Sequence, residues 1–218
     1  MSVIIILMFA AIAIGIGVWR ERRAPEPGKV PLSVKTPSAW KGLFVHPGHG
    51  WVHVIQPSLV AVGTDEFTRS VFGSVERLTV PKPGSMIQQG GKAWELRRGR
   101  HQVVQAAPIT GRVIEVNQAL KDNPKLLSDP KGNWILKVQP TGLSRQLRNL
   151  LHGGTLLRWN QAVKEQLATV LGPAEFPVLQ DGGEIAPDLG DNLTDQQWEK
   201  VAREFFPESH YRETYIAR

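Results

Sequence analysis

The first 19 residues form one uninterrupted apolar run. Met1–Trp19 holds no charged side chain, and at about 1.5 Å per residue such a helix is roughly 28 Å long, close to the thickness of the bilayer hydrocarbon core. Arg20, Arg22 and Arg23 follow the run and no basic side chain precedes it. This order favours an uncleaved, single-pass transmembrane helix with its N-terminus outside and its C-terminal side in the cytoplasm. We expect Trp19 and the three arginines to contact headgroups of the inner (cytoplasmic) membrane.

Residues 20–41 are basic and rich in proline, and they show no helical or strand period. Four prolines fall between Ala24 and Ala39, which predicts an extended tether. The lysines of this tether either lie near anionic headgroups or belong to an ordinary solvated linker.

Between residues 42 and 140, short runs rich in β-branched and aromatic residues alternate with glycine and proline. Many short strands separated by turn signals are typical of a small sandwich or barrel, so we predict a mainly β domain. Two short helices are predicted beside the strands, at Thr64–Phe72 with Thr64 or Asp65 as the cap, and around Asn117–Lys121. The predicted strands are Trp51–Ile55, Leu59–Gly63, Val75–Val80, Ala93–Leu96, Gln102–Ala106, Gly111–Val116 and Trp134–Val138.

Residues 141–173 show helical periodicity. Thr155–Leu171 has apolar residues at steps of three and four, which predicts an amphipathic helix with Thr155 as its cap. A shorter helix is predicted just before it, within Leu143–Gly154. Both helices either pack on the β domain or contact a partner or the membrane surface, and in the second case Trp159 is a contact residue.

Residues 174–218 are predicted to form an acidic arm with a terminal helix. Glu175–Asp195 contains several glycines and prolines, so we expect a loop there. A capping-box pattern beginning at Thr194 then precedes an amphipathic segment. Trp198 and Phe205 on this segment either grip a neighbouring protein or fold back on the chain's own domain.

The composition excludes several kinds of chemistry. The 218 residues include no cysteine, so disulfides, thiolate metal sites and cysteine nucleophiles are ruled out. His46, His49 and His53 lie close together without clustered carboxylates, and no catalytic motif is present. We therefore predict no enzyme activity, no metal and no cofactor. The net charge is +6, but the seven tryptophans are scattered singly, which does not favour nucleic-acid binding.

Three collinear segments resemble the H protein of the glycine cleavage system. They read His49-Gly50-Trp51-Val52, then VGTDEFTRSVFGSVERLTVPKPGSMIQQGG from Val62 to Gly91, then APITGRVIEVNQALKDNPKLLSDPKGNWILKVQP from Ala107 to Pro140. The resemblance covers roughly residues 45–140. It implies a lipoyl-type barrel-sandwich hybrid with short helices, here preceded by the transmembrane helix and followed by a helical tail.

In that family one lysine at a β-hairpin tip carries a lipoyl arm between partner enzymes. Counting back from Ala107-Pro108, the resemblance places Arg100 at the position of this lysine. A guanidinium stays protonated below about pH 12 and is not an acylation nucleophile, so we expect no lipoyl group and no carrier function. Arg97, Arg98 and Arg100 together make a basic tip, which either contacts a carboxylate, a phosphate or anionic headgroups or is a solvated turn.

These features predict a non-enzymatic, membrane-anchored structural or assembly subunit of a larger membrane complex, such as a photosynthetic reaction centre or a respiratory complex. Its expected partners are integral membrane subunits and the lipid bilayer. The alternative is a membrane-tethered accessory of lipoate or one-carbon (glycine cleavage) metabolism, which docks to lipoyl-dependent enzymes through the retained fold.

Overall fold

The computed structural model describes residues 42–129, 134–172, 185 and 189–207. The predicted transmembrane helix at residues 1–19 and the tether at residues 20–41 lie outside the described residues, as does most of the acidic arm. No helix in the described part of the chain is long and apolar enough to cross a membrane.

Within the residues that the structure describes, nine strands form two antiparallel sheets. The larger sheet has the strand order β1-β2-β3-β9-β8-β5, and the smaller has the order β4-β6-β7. The described residues of the domain at 42–140 are therefore mainly β, as predicted. The strands are β1 Leu43–Val45, β2 Gly50–Gln56, β3 Leu59–Thr64, β4 Arg77–Thr79, β5 Met86–Ile87, β6 Lys92–Arg98, β7 His101–Ala106, β8 Gly111–Val116 and β9 Leu136–Pro140.

The core lies between the sheets because alternate residues of each strand point inward. In the larger sheet Val52 is paired with Val62, and both are fully buried. In the smaller sheet Leu96 is paired with Val103, and both are likewise buried. All seven predicted strands overlap observed ones. The two strands that the sequence pattern missed, β1 and β5, have three and two residues and exist through their pairing with β2 and β8.

Six α-helices and one 3₁₀ helix surround the sheets in the described part of the chain. Asp65 caps the first of them, because its carboxylate accepts the backbone N–H of Thr68 at 2.9 Å. The helices are α1 Glu66–Phe72, α2 Gln118–Asp122, the 3₁₀ helix Pro124–Ser128, α3 Leu143–Leu147, α4 Gly153–Leu171, α5 Leu189–Asn192 and α6 Asp195–Phe205.

Two helix predictions need correction. The long helix α4 begins at Gly153 with His152 as its N-cap residue, so Thr155 lies inside the helix and is not the cap. The stretch expected to be a loop contains the short helix α5, which packs against the end of α1. The final helix α6 agrees with the sequence, because Thr194 and Gln197 form the reciprocal capping box.

The C-terminal helices pack on the chain's own β domain. Val163 and Leu167 of α4 and Trp198 and Phe205 of α6 belong to the same buried cluster as the sheet residues. Val45 of strand β1 and Leu151, just before α4, exchange backbone hydrogen bonds, which join the helical region to the larger sheet. Trp198 and Phe205 are only 5% and 6% exposed. Of the two alternatives for the terminal segment, the structure therefore has it folded back on its own domain, and these two side chains are not available to grip a neighbour.

Candidate functional site

The candidate site is the tip of the β6–β7 hairpin, residues Arg97–His101, hereafter the hairpin tip. Arg98 and His101 form the last pair of the ladder, and Gly99 and Arg100 make the two-residue turn between them. Gly99 has a φ of +52°, which favours glycine because it has no Cβ. Its N–H donates to the Glu76 carboxylate at 2.8 Å, which ties the turn to the chain before strand β4.

Strand alternation separates the three arginines that the sequence places together. Arg97 points to solvent, whereas Arg98 points toward the C-terminal segment, residues 189–207. The guanidinium of Arg98 donates to the carbonyl of Gly190 at 2.6 Å and forms an ion pair with Asp191. It also lies 5.6 Å from the centre of the Phe72 ring. Arg98 therefore contributes to folding rather than to an open basic surface.

The turn residue Arg100 contacts the first residue of helix α6. Its Nη1 donates to the Asp195 carboxylate at 2.8 Å, and His101 Nε2 lies 3.2 Å from the other oxygen of the same carboxylate. The His101 ring also stacks on Trp198, with ring centres 4.9 Å apart. A carboxylate in the first turn of a helix is favoured by the helix dipole, so Asp195 suits both α6 and the hairpin tip.

The C-terminal segment approaches the domain so closely that one position must be glycine. A Cβ on Gly190 would overlap the carbonyl oxygen of Val71 and lie 2.8 Å from that of Phe72. The hydrogen bond from Arg98 to Gly190 and the ion pair from Arg98 to Asp191 lie beside this contact. Backbone contact and arginine pairing thus fix α5 against the end of α1.

An open groove of about 380 Å³ separates the hairpin tip from the C-terminal segment. Its basic side chains are paired with carboxylates: Arg98 with Asp191, and Arg100 and His101 with Asp195. Glu76 also lines the groove, and its carboxylate accepts the backbone N–H of Gly99. The groove therefore presents paired charges and no uncompensated arginine to a ligand.

A buried polar network supports the hairpin from below. The Trp94 indole N–H donates to the Gln105 side-chain oxygen at 2.6 Å, and the Gln105 amide donates to the His49 carbonyl at 3.0 Å and to the Thr68 hydroxyl at 3.1 Å. His49 Nδ1 in turn lies 2.8 Å from Asp65 Oδ2. Because each member is satisfied by another, the network fixes β6 and β7 relative to α1.

The ring of His49 also joins the β domain to the C-terminal helices. It stacks on Phe67 with ring centres 4.4 Å apart, and it lies 5.0 Å from Trp159 of α4 and 5.6 Å from Phe206. Trp159, expected to face a partner, is half-buried against this histidine. His49 has a φ of +65°, a strained value for a residue other than glycine, which this packing maintains.

His46 is a neighbour of His49, and its pKa is lower than the usual value for histidine. Burial lowers the pKa of His46, and the neighbouring His49 lowers it further. Its Nδ1 accepts the N–H of Gly48 at 3.0 Å, which requires that nitrogen to be unprotonated. Among the described residues, no group of three histidine or carboxylate side chains is placed to hold a metal.

The residues at the hairpin tip do not fit a lipoyl group. The resemblance assigns the modified lysine to position 100, where the side chain is a guanidinium that does not form the amide link. Lys92 is at the opposite end of strand β6 and is paired with Glu95 at 3.0 Å. The sequence-predicted contact residues Trp19, Arg20, Arg22 and Arg23 lie outside the described residues.

Sequence reasoning missed the acidic partners of the hairpin tip. Asp191 and Asp195 lie more than ninety residues from the arginines they contact, so no local spacing connects them. The one local signal is an acidic residue in the first turn of a capped helix. This pattern does not identify the cation that the residue contacts, because that contact depends on the tertiary fold. The sequence predicts Asp65 as a helix cap but does not indicate its contact with His49.

Two small antiparallel sheets, short flanking helices and a tight hairpin at the end of one sheet define a lipoyl-type β domain. A sequence profile of the family described as "Glycine cleavage H-protein" matches residues 43–165. This match covers more than half of the chain, and the chain belongs to that family.

Two relatives that are similar in sequence agree with this assignment. A probable glycine cleavage system H protein of Thermococcus kodakarensis is 34% identical over 112 residues, which are 51% of this chain and 84% of the relative. The corresponding protein of Pyrococcus furiosus is 31% identical over 112 residues, with the same coverage. The crystal structure of a glycine cleavage system H protein from Mycobacterium marinum aligns with 56% of this chain and 96% of its own, at 20% identity and a TM-score of 0.46.

Proposed function

We propose that this protein is a non-carrier member of the H-protein family, which binds proteins of glycine cleavage or lipoate metabolism as a membrane-tethered accessory. One observation carries the proposal. Arg100 occupies the hairpin turn at the position that the resemblance gives to the lipoyl-lysine, and it is paired with Asp195 of the chain's own final helix. An arginine there removes the acylation site and leaves the rest of the domain in place.

The retained parts of the domain support a binding role. The buried network from Trp94 through Gln105 to His49 keeps the hairpin rigid. It does not involve position 100, so it is independent of the replacement of the lysine by arginine. A rigid β-hairpin with charged side chains suits recognition of another protein, because its surface needs little ordering on binding. No catalytic role is proposed for any residue of this surface.

Membrane attachment is the second element of the proposal. The apolar run at residues 1–19, followed by three arginines, supports a single-pass anchor in the cytoplasmic membrane with the β domain on the cytoplasmic side. The same observation favours one further candidate function, a scaffold subunit within a larger integral membrane complex of photosynthetic or respiratory type.

Reconstitution with purified proteins tests the accessory role. The full-length chain, kept in detergent, is titrated by calorimetry against each of the other proteins of a glycine cleavage system, and it is also used in place of the authentic H protein in an activity assay. We expect binding to at least one of these proteins and no turnover when it replaces the H protein. Turnover in that assay, or no binding to any component, would contradict the proposal.

Gentle solubilisation of native membranes separates the two candidates. If the chain co-migrates at high molecular weight with integral membrane subunits and not with glycine cleavage proteins, the scaffold reading replaces the accessory reading. Co-purification with glycine cleavage proteins supports the accessory reading.

A further inference from the structure

Two arginines lie directly opposite each other on the smaller sheet. Arg77 of β4 is paired with Arg97 of β6, and Arg97 is paired in turn with Gln102 of β7. These three residues, hereafter the arginine row, cross all three strands of the sheet, whose spacing is about 4.8 Å. Arg77 was not singled out by the sequence pattern, because its neighbour on the adjacent strand is set by tertiary pairing.

The arginine row faces solvent and points away from the C-terminal segment. Arg77 is exposed, and the side chain of Arg97 is 45% exposed. The adjacent row on the opposite face contains Leu96 and Val103, which are buried in the core. Arg98 points to the opposite face of the sheet from Arg97, and it donates to the Gly190 carbonyl. The C-terminal segment therefore covers that face of the hairpin tip and leaves the arginine row exposed.

The charges of this face do not balance. Like charges directly opposite on neighbouring strands disfavour the pairing. Arg97 is steadied by the Gln102 side-chain oxygen at 2.8 Å and by the Glu95 carboxylate at 3.4 Å. Glu95 also pairs with Lys92. Within the described residues Arg77 has no carboxylate within 4.0 Å, so the face carries an excess of positive charge.

We propose that the arginine row binds carboxylates on the surface of a partner protein, and that it is the docking surface of the accessory role. The inference rests on the proposed function above. Arginine presents a planar fork that matches a carboxylate in two parallel hydrogen bonds, and Gln102 adds a neutral amide of fixed direction beside it. Glu95 already shows that a carboxylate fits next to Arg97.

A protein surface suits this row better than a lipid surface. Recognition of anionic headgroups generally uses clusters of about 4–8 basic residues near the membrane. The arginine row offers two arginines and one amide in a straight line across the sheet, which matches acidic residues spaced along a strand or a helix. Its directional hydrogen bonds favour a partner whose carboxylates are fixed in position.

The test compares two matched double variants of the full-length chain. R77Q/R97Q removes both charges of the row, and R145Q/R148Q removes two exposed arginines of the region of α3. Dissociation constants for the glycine cleavage proteins are measured by calorimetry at low and moderate salt. We expect R77Q/R97Q to bind about tenfold or more weakly and to lose most of its salt dependence, and we expect the control to bind like the wild type.

The possible failures are distinguishable. If the wild type binds and R77Q/R97Q binds equally well, the docking surface is wrong and the accessory role stands. If the wild type binds none of the proteins, both are wrong. Because residues 1–19 are proposed to insert in vesicles by themselves, the lipid arm uses a soluble headgroup, glycerophosphoglycerol, titrated by calorimetry: binding that is lost in R77Q/R97Q with unchanged protein binding would assign the row to headgroups and overturn the inference. Matching circular dichroism melts establish that each variant is folded.

Discussion

Arg100 in the hairpin turn donates through Nη1 to the carboxylate of Asp195, the first residue of the last helix, at 2.8 Å. The position that the family resemblance gives to a lipoyl-lysine is thus joined to a part of this chain that lies beyond the matched residues 43–165. The hairpin tip and the C-terminal segment form one folded unit.

The ion pair itself is expected to add little to stability. The side chains of Arg100 and Asp195 are 80% and 56% exposed, so water and salt screen their attraction. A double-mutant cycle with R100A, D195A and the double variant should give a coupling energy between about 0 and 1 kcal/mol in urea unfolding. A coupling above about 2 kcal/mol would show that the tip is held by charge, contrary to the packing described here.

Trp198 is expected to hold the C-terminal segment far more strongly. It stacks on His101, meets the edge of Phe72 and is almost fully buried. Replacing it with alanine leaves a cavity, and W198A should lower the free energy of unfolding by about 3–5 kcal/mol. The control is K200A on the exposed side of the same helix, which should change stability by less than about 0.5 kcal/mol. Equal effects of the two substitutions would mean that α6 does not dock as described.

Gly190 provides a backbone test of the same contact. A Cβ at this position would overlap the Val71 carbonyl oxygen, so G190A must push α5 away from α1. We expect a loss of about 1–3 kcal/mol or more in urea unfolding. In G154A the nearest atom to the added Cβ is the end of the Arg158 side chain at 3.8 Å, so this control should be neutral or stabilising by up to about 1 kcal/mol. A neutral G190A would contradict the close approach.

Stability should fall in mildly acidic solution because of His46. Burial and the neighbouring His49 lower the pKa of His46 in the folded protein below its unfolded value near 6.5. The unfolded chain therefore binds more protons between those two values, so this contribution is complete above about pH 6.5 and is lost as the pH falls toward the folded pKa.

Unfolding free energies measured across that range should show a smaller pH dependence in H46N than in the wild type. The control H53N removes an exposed histidine of strand β2 and should leave the slope unchanged. A slope that is the same in H46N and the wild type would mean that His46 is not the group responsible.

The local parts of this fold could be predicted from sequence, and the long-range parts could not. Short runs rich in β-branched and aromatic residues between turn residues predicted core strands such as β3 and β8, and the capping box at Thr194 predicted the start of α6, because these features depend on neighbouring residues. Strands β1 and β5 were missed because a segment of two or three residues forms a strand only when a neighbouring strand pairs with it. Helix α5 was missed because its glycine-rich acidic sequence is typical of a loop.

The candidate site was predicted in part. Arg100 at the hairpin turn was identified by counting along the resemblance, and the structure has it in that turn. The separation of Arg97 from Arg98 follows from strand β6, which continues past the predicted end at Leu96. The pairing of Arg98 with Asp191 depends on how residues about ninety positions apart meet in the folded chain. The opposition of Arg77 and Arg97 likewise follows from strand register, which the local pattern around each residue does not contain.

The most direct test of the central claim is the intact mass of the full-length chain after co-expression with a lipoate ligase in lipoate-supplied cells. An authentic H protein expressed in the same cells serves as the positive control. We predict the mass of the bare polypeptide, because Arg100 cannot form the amide link and Lys92 lies at the far end of the strand. A mass increase of one lipoyl group, located by peptide mapping on any lysine, would contradict the non-carrier function.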